Sequence, residues 1–395
     1  MRLNKKLTMK LSEYPYVIVG SGFLGSVLAE RIATVMDQPV LVIEKRDHIG
    51  GNCYSEIDPE TGIESHKYGT HIFHTSNKKV WDYINQFTSF NGYRHQVLAS
   101  HKEKIYQLPI NLETINSFFD VNLSPYQVDD FLATKRRPTS TTPGNFQEKA
   151  VALLGEELYE TFIKGYTIKQ WQIDPVELPD TVFNRLPFRK NYDENYFYDT
   201  WQGIPIDGYH NIFKKLLSNI NITTLLNTDY FAIKEELNPA ATLIYSGPID
   251  RFFDYKYGKL NWRTLRFEKE IIAVEDYQGN SVINYPELSV PYTRIHEPRH
   301  LHPERNYSSN KTIIFKEYSS ADNGDNPYYP IPTAENNSLY KLYKDEADQL
   351  KNVFISGRLG DYKYYDMHQT LDKALEIFEH SILPAFNLTN PQECH

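Results

Sequence analysis

YVIVGSGFLGSVLAERI, residues 16–32, decides how the rest of the chain is read. Tyr16 to Val19 is a short unbroken apolar run, as expected of a strand buried on both faces of a parallel sheet. Gly20, Gly22 and Gly25 then spell G-x-G-x-x-G, and Ser26 to Ala33 carries helical spacing. Gly20 permits a tight turn, Gly22 lets the backbone approach a pyrophosphate, and Gly25 lets helix and strand pack closely. The helix N-terminus then faces the same phosphates, where its dipole favours negative charge. A lone glycine motif of this kind is weak, but PVLVIEK (39–45) follows it as a second buried strand. That strand closes on Glu44, about 20 residues past the glycines, where an acid that binds ribose belongs.

Directly after Glu44 comes KRDHIGGN (45–52), a second glycine pair on a turn close to the same phosphates. A nicotinamide site would not need it. The two-part pattern resembles the FAD-binding proteins of the glutathione reductase and amine oxidase type, which implies that the acid takes the adenosine ribose and the Gly50-Gly51 segment lies along the diphosphate.

Composition narrows the function classes. At 395 residues the chain has room for two or three domains and a large core. A formal net charge of −9, with no Lys/Arg tail, leaves no electrostatic footprint for nucleic acid. An anionic ligand must therefore be held by local arginines. The two cysteines, Cys53 and Cys394, lie at opposite ends and form neither a disulfide framework nor a metal pattern, which fits a reducing compartment. The basic N-terminus leads into an apolar run too short for a secretory signal, and nowhere do 18 apolar residues run together. The sequence reads as a cytoplasmic protein without a membrane span. Tyrosine is abundant, 30 against 4 Trp, which suits nucleotide and sugar recognition but equally suits half-buried sheet surface, so composition does not separate these uses.

Further along, residues 76–90 have a Ser start and one apolar face (Val80, Ile84, Phe87), a helix expected to leave the dinucleotide fold. Helical patterns dominate from Leu112 to about Leu178, broken at Pro138, Pro143 and Pro175. Residues 264–319 read as strands of an antiparallel sheet with one wet face. VFISGRLG (353–360) returns to a buried strand meeting glycine, followed by a helix, and reads as the closing piece of the dinucleotide domain. The expected fold is therefore α/β: a discontinuous Rossmann-like FAD-binding domain (14–76, 203–255 and 345–390), an inserted helical bundle with a mobile substrate loop (77–92 and 110–180), and an antiparallel β-sheet domain (93–109, 181–202 and 256–344).

HKYGTHIFHT (66–75) makes a resemblance specific. With VGSGFLG, EKRDHIGGN, KGYTIKQW, NYFYDTWQGIP, YSGPID, VPYTRI, PYYP and GRLGDYKYYDMHQ, it resembles the bacterial-type UDP-galactopyranose mutase family, in order and spacing from about Tyr16 to His380. The resemblance implies an isomerase that interconverts UDP-galactopyranose and UDP-galactofuranose through a covalent flavin N5–sugar adduct, active with reduced FAD, supplying galactofuranose for cell-surface polysaccharide. It also implies a homodimer.

Carried onto this chain, the resemblance places Arg185, on a mobile loop, and Arg294, on the opposite sheet, against the diphosphate, with His71 beside the flavin ring. Tyr166 stacks on uracil, next to Thr167; Trp171 lies by the sugar; Tyr196, Tyr328 and Tyr364 offer hydroxyls to the phosphates. Cofactor contacts fall on Gly20, Gly22, Phe23, Gly25, Glu44, Lys45, Arg46, Gly51, Asn52, His71, Gly247, Arg358, Tyr364, Asp366 and Met367. Two departures stand out. WQIDPVELP (171–179) replaces the more usual W-G segment, and His95, read as a uridine contact, stands where close relatives often have Asn.

Three other readings remain open here. Tyr166 and Trp171, five apart, could be ordinary core packing. The fingerprint would equally serve a flavin oxidoreductase of the amine oxidase type or a non-catalytic nucleotide-sugar binder; the Tyr166, Trp171, Arg185 and Arg294 set is what such an oxidase would not need. H-x-x-x-x-H-x-x-H at His66, His71 and His74 matches no zinc spacing, and no metal is expected.

Overall fold

The structure, a computed structural model, describes residues 9–136, 143–307, 309–322 and 326–389, and at Arg185 the backbone alone. Pro138, Cys394 and the side chain of Arg185 thus lie outside the described residues.

Tyr16–Val19 is the centre of a five-stranded sheet ordered Val353–Ile355, Thr242–Tyr245, Tyr16–Val19, Val40–Ile43, Ile222–Leu225. All four pairings are parallel, which explains the unbroken apolar runs: both faces are covered. The helix Phe23–Val35 follows the first strand directly and is buried along most of its length, because the helices Met367–Ile377 and Tyr209–Leu216 pack against it. A Cβ on Gly25 would lie 2.0 Å from the Gly20 carbonyl, so helix and strand meet too closely for any side chain there. Gly20 has φ +98°, and the Cβ position of Gly22 points into open space.

A seven-stranded sheet runs Tyr329–Pro330, Trp262–Ile272, Thr312–Ala321, Arg294–His296, Val282–Asn284, Val97–His101, Lys104–Leu108. It is antiparallel except where Val282–Asn284 meets Val97–His101 in parallel. The helices Leu112–Phe119, Val128–Lys135 and Phe146–Leu154 share one core with the far edge of this sheet, through Ile115, Leu132 and Ala150 against Tyr106, Leu108 and Val282.

Two expectations about the division of the chain need correction. The helix expected over 76–90 is shorter, Lys78–Ile84, with Asn77 rather than Ser76 as its cap. It does not join the helical unit: Val80, Tyr83 and Ile84 sit in the core of the dinucleotide sheet, and Tyr83 Oη donates to Glu30 at 2.8 Å. Its apolar stripe is real, but a stripe does not say which layer it faces. Residues 181–188, expected with the sheet, instead pack on the helices, with Phe183 buried beside Phe146 at a ring separation of 5.4 Å.

Candidate functional site

A cavity of about 820 Å³ opens between the glycine turn and the seven-stranded sheet, near the upper end of the roughly 300–1,000 Å³ usual for small-molecule sites. Gly20, Gly22, Gly51 and Asn52 line one end; Tyr166, Thr167, Gln170, Trp171, Arg294 and Glu317 line the other. His71, Arg358, Tyr364, Asp366 and Met367 lie along the same cavity.

The glycine end fits a dinucleotide. The open Cβ position of Gly22 and the positive φ of Gly20 and Gly51 make a backbone cradle that side chains would fill. Glu44 is buried and accepts from the Ser21 amide (2.9 Å), the Ser21 hydroxyl (2.7 Å) and the Arg46 amide (3.0 Å). A carboxylate offers about four acceptor positions, so one remains for a hydroxyl. Arg46 is held over the Tyr68 ring at 4.2 Å and donates to Asn52 Oδ1 at 2.9 Å. Lys45 and Phe23 also line the cavity, Phe23 from the start of the first helix. Gly247 is crowded by Tyr245, whose hydroxyl would lie 2.5 Å from an added Cβ. Asp366 caps the helix that begins at Met367.

At the centre of the cavity His71 is oriented by its own turn. Its Nδ1 lies 2.6 Å from the Gly69 carbonyl, so that nitrogen carries the proton and Nε2 is left as the acceptor. Burial pushes its pKa down to about 4, with Arg358 adding to the effect, so the ring is neutral at pH 7.

The opposite end is built on a pair of strands. Arg294 and Glu317 are direct partners in antiparallel register, which puts their side chains side by side. Arg294 Nε lies 3.1 Å from Glu317 Oε1, and Arg294 Nη2 donates to Tyr166 Oη at 2.6 Å. Glu317 also meets His296 Nε2 at 2.9 Å and the Thr293 hydroxyl at 3.1 Å, while His296 Nδ1 reaches the Thr70 hydroxyl at 2.8 Å. A continuous polar chain thus runs Tyr166, Arg294, Glu317, His296, Thr70 from one end of the cavity toward His71. Burial alone would raise the Glu317 carboxyl, but Arg294, His296 and Thr293 outweigh it and hold it at about 2.

Tyr166 and Thr167 come from the short helix Gly165–Trp171, which follows a π-helical turn, Tyr159–Lys164. Tyr328 is buried with Arg358 over its ring at 5.9 Å, and Tyr364 stacks on Tyr329 at 5.3 Å. Tyr196 and His95 are neighbours: the Tyr196 amide donates to the His95 carbonyl at 3.0 Å, and the rings meet edge to face. The structure therefore brings to one cavity every expected site residue whose side chain it describes, except Gly25, which packs against the Gly20 carbonyl and Ile18 and does not line it. Arg185 ends the 3-10 helix Asp180–Arg185, whose Phe183 is anchored in the helical core; its side chain lies outside the described residues.

Glu317, His296, Thr70, Gln170, Asn284 and Tyr329 line the same cavity without having been singled out in the sequence. For Glu317 a signal existed: in TIIFKEYS it falls in phase with Ile313 and Phe315, and a carboxylate on the buried face of a strand needs a cation opposite. Among the described residues, His74, Asp366 and His368 bring ligand atoms within 4.8 Å of one another, but the His74 Nδ1 is taken by Asp199 at 2.7 Å.

Comparisons with known proteins bear on family and fold. A sequence profile described as "GLF: UDP-galactopyranose mutase" matches residues 161–364, and one described as an NAD(P)-binding Rossmann-like domain matches residues 18–87. The dTDP-fucopyranose mutase of Escherichia coli is 42% identical over 365 residues, 91% of this chain and 96% of its own. The Klebsiella pneumoniae protein named "Probable UDP-galactopyranose mutase" is 42% identical over 361 residues, 91% of this chain and 92% of its own. A crystal structure of reduced UDP-galactopyranose mutase superposes with a TM-score of 0.76 at 15% identity, covering 95% of each chain, which shows a shared fold. With that profile over half its length and relatives matched nearly end to end, the chain belongs to the UDP-galactopyranose mutase family.

Proposed function

We propose that the protein interconverts UDP-galactopyranose and UDP-galactofuranose with reduced FAD in the glycine cradle. The observation that carries this reading is the pinned guanidinium of Arg294, held by Glu317 and Tyr166 across one cavity from the Gly20–Gly22 turn. Bound reduced FAD would supply the nucleophile that keeps the sugar covalently attached while its ring changes size.

The chain's own residues do the rest. Breaking the bond between sugar and UDP develops charge on the diphosphate, and a fixed guanidinium stabilises it without reorganising. Glu317 keeps Arg294 in place. Arg185, from the other side of the cavity mouth, is assigned a second contact to the same diphosphate. Tyr166 and Thr167 form the wall for the base, Trp171 flanks the sugar, and Tyr196, Tyr328 and Tyr364 offer hydroxyls to the phosphates. Neutral His71, with its acceptor Nε2, holds the flavin ring edge without adding a charge.

The dTDP-fucopyranose mutase relative, as similar as the Klebsiella protein, favours a second substrate, dTDP-fucose, on the same scaffold. One assay separates them. The FAD-loaded protein is reduced with dithionite and given UDP-galactofuranose, its N-acetyl analogue or dTDP-fucofuranose, and pyranose formation is followed by chromatography. Turnover of UDP-galactofuranose is expected. Tight UDP binding with no turnover of any of the three overturns the reading.

A further inference from the structure

The helix Gly165–Trp171 has two working faces. Tyr166, Thr167 and Gln170 line the cavity. Gly165 and Lys169, four residues apart and so on one side of the helix, meet residues 285–292, the connection between strands Val282–Asn284 and Arg294–His296.

The Lys169 ammonium sits among four main-chain carbonyls of that connection. Those of Glu287, Val290 and Tyr292 lie at 2.9, 2.9 and 2.8 Å, and that of Tyr285 is also in contact. No carboxylate pairs with the nitrogen among the described residues; Glu287, the nearest, is engaged by His101 Nδ1 at 2.9 Å and by the Lys102 amide at 3.0 Å. Partial burial lowers the amine to about 8, with Glu287 opposing the shift. Take the ammonium away and four carbonyl dipoles converge on one point; that of Glu287 keeps the Val290 amide at 3.2 Å, and those of Tyr285, Val290 and Tyr292 lose the donor that holds them, an arrangement the loop could not keep. One turn earlier, a Cβ on Gly165 would lie 2.3 Å from the Pro286 carbonyl, so the same loop is clamped to the same helix face twice.

The clamped loop is bounded at both ends by cavity residues, Asn284 and Arg294. Arg294 returns to the helix on its other face, through the hydrogen bond to Tyr166. Helix and strand pair therefore meet on both sides of the helix, and a loop that slipped would carry Arg294 with it.

We propose that Lys169 is a positioning residue for substrate binding: its ammonium and the close approach at Gly165 lock residues 285–292 to the helix, and so hold Asn284 and Arg294 in register with Tyr166. The role rests on the reading of the cavity as a nucleotide-sugar site. Lys169 itself touches no substrate.

The test uses the reduced, FAD-loaded protein and three variants: Lys169→Met, which keeps length and loses charge; Lys169→Ala, which leaves a carbonyl-lined gap; and Gly165→Ala. Hydrogen exchange of amides in 285–294 is measured without substrate, and KM and kcat for UDP-galactofuranose are measured with it. In all three, exchange in this segment should quicken at least tenfold and KM should rise at least tenfold, with a smaller change in kcat. Methylammonium chloride should restore much of the KM of Lys169→Ala, whereas sodium chloride at equal ionic strength should not. In the wild type KM should rise above about pH 8. Glu287, His101, Tyr285 and Tyr292 also face this region, and Lys169→Met keeps all of them, so a step that survives in that variant belongs to them and counts against Lys169. Wild-type exchange and KM in Lys169→Met, or faster exchange with unchanged KM, overturns the proposal while leaving the assigned reaction intact. A wild type that turns over no nucleotide sugar sinks the functional reading, and the positioning role with it.

Discussion

Gln172 adopts the left-handed conformation, φ +51°, and its Oε1 accepts from Nη1 of the buried Arg263 at 2.9 Å. The same guanidinium donates to the Gln170 carbonyl at 3.1 Å and to the Ser319 hydroxyl at 2.9 Å. Arg263 is 2% exposed and has no carboxylate partner among the described residues; burial lowers it to about 10. It closes the C-terminal end of the Trp171 helix, where a cation is favoured by the helix dipole. Gln172 stands at the departure from the usual W-G segment, and its side chain is what that departure adds.

Substitutions at Gln172 should therefore rank in an unusual order. Gln172→Ala keeps the left-handed strain and takes an acceptor from Arg263; Gln172→Gly takes the acceptor but removes the strain, worth about 1 kcal/mol. We expect denaturant midpoints in the order wild type, Gly, Ala. Finding the Ala variant as stable as the Gly variant would remove the assigned strain.

Arg294→Ala should cost at least about a hundredfold in rate, as expected when a charged contact to a transition state in a closed site is deleted. Glu317→Ala should act differently, leaving the half-buried Arg294 with Tyr166 alone and the buried His296 without its carboxylate, and destabilising the fold by about 3 kcal/mol. Glu317→Gln keeps the shape and should fold, with kcat reduced because Arg294 is no longer pinned by charge. Chemical denaturation and steady-state rates on the three proteins decide between these outcomes.

For Arg185 the expectation combines rate and motion. Arg185→Ala should lose at least about a hundredfold, like Arg294→Ala. The segment carrying it should close on UDP, because the ligand's charge supplies the differential affinity that closure requires. Trp171, at the start of the segment, should change its emission on UDP titration. A loss below tenfold in both arginine variants would refute the two-sided grip, and identical Arg185 positions with and without ligand would make it a static anchor.

Acid should unfold the protein earlier than its carboxylates alone would. Burial holds His66, His71 and His95 at about 3, 4 and 3, against 6.5 for a free histidine. The unfolded chain then binds more protons than the folded one between these values, so stability is complete above about pH 6.5 and falls as pH drops toward 4. Glu317, held at about 2 against 4.5, extends the fall below pH 4.5. His95→Asn should flatten the first limb, by about 3 kcal/mol at pH 4. Equal acid-side slopes of midpoint against pH in both proteins would show that His95 is not buried as neutral.

What the sequence made legible follows from how each feature is encoded. The glycine cradle is a demand of the backbone at single positions, Gly20 with φ +98° and Gly25 against the Gly20 carbonyl, so it shows as residue type at fixed spacing. The buried strands show as apolar runs for the same local reason. Lys169 and Glu317 were not legible as functional, because each acquires its role from partners more than twenty residues away along the chain: a ring of carbonyls in one case, strand register in the other. The helix Lys78–Ile84 shows the limit of periodicity: its apolar face was visible, its partner layer was not.

The edge strand Val353–Ile355 has a consequence for how the protein is made. It completes the parallel sheet beside Thr242–Tyr245, and the helix after it, Met367–Ile377, covers the helix that begins at Phe23. During synthesis the glycine turn is made early and its helix waits, covered only in part by Tyr209–Leu216, for a partner more than three hundred residues downstream. Contacts this distant form late, and the exposed apolar helix is a liability until they do. Gly357, Arg358, Tyr364, Asp366 and Met367, which line the cavity, are made just as late, so the nascent chain has no complete cradle to offer a dinucleotide until then.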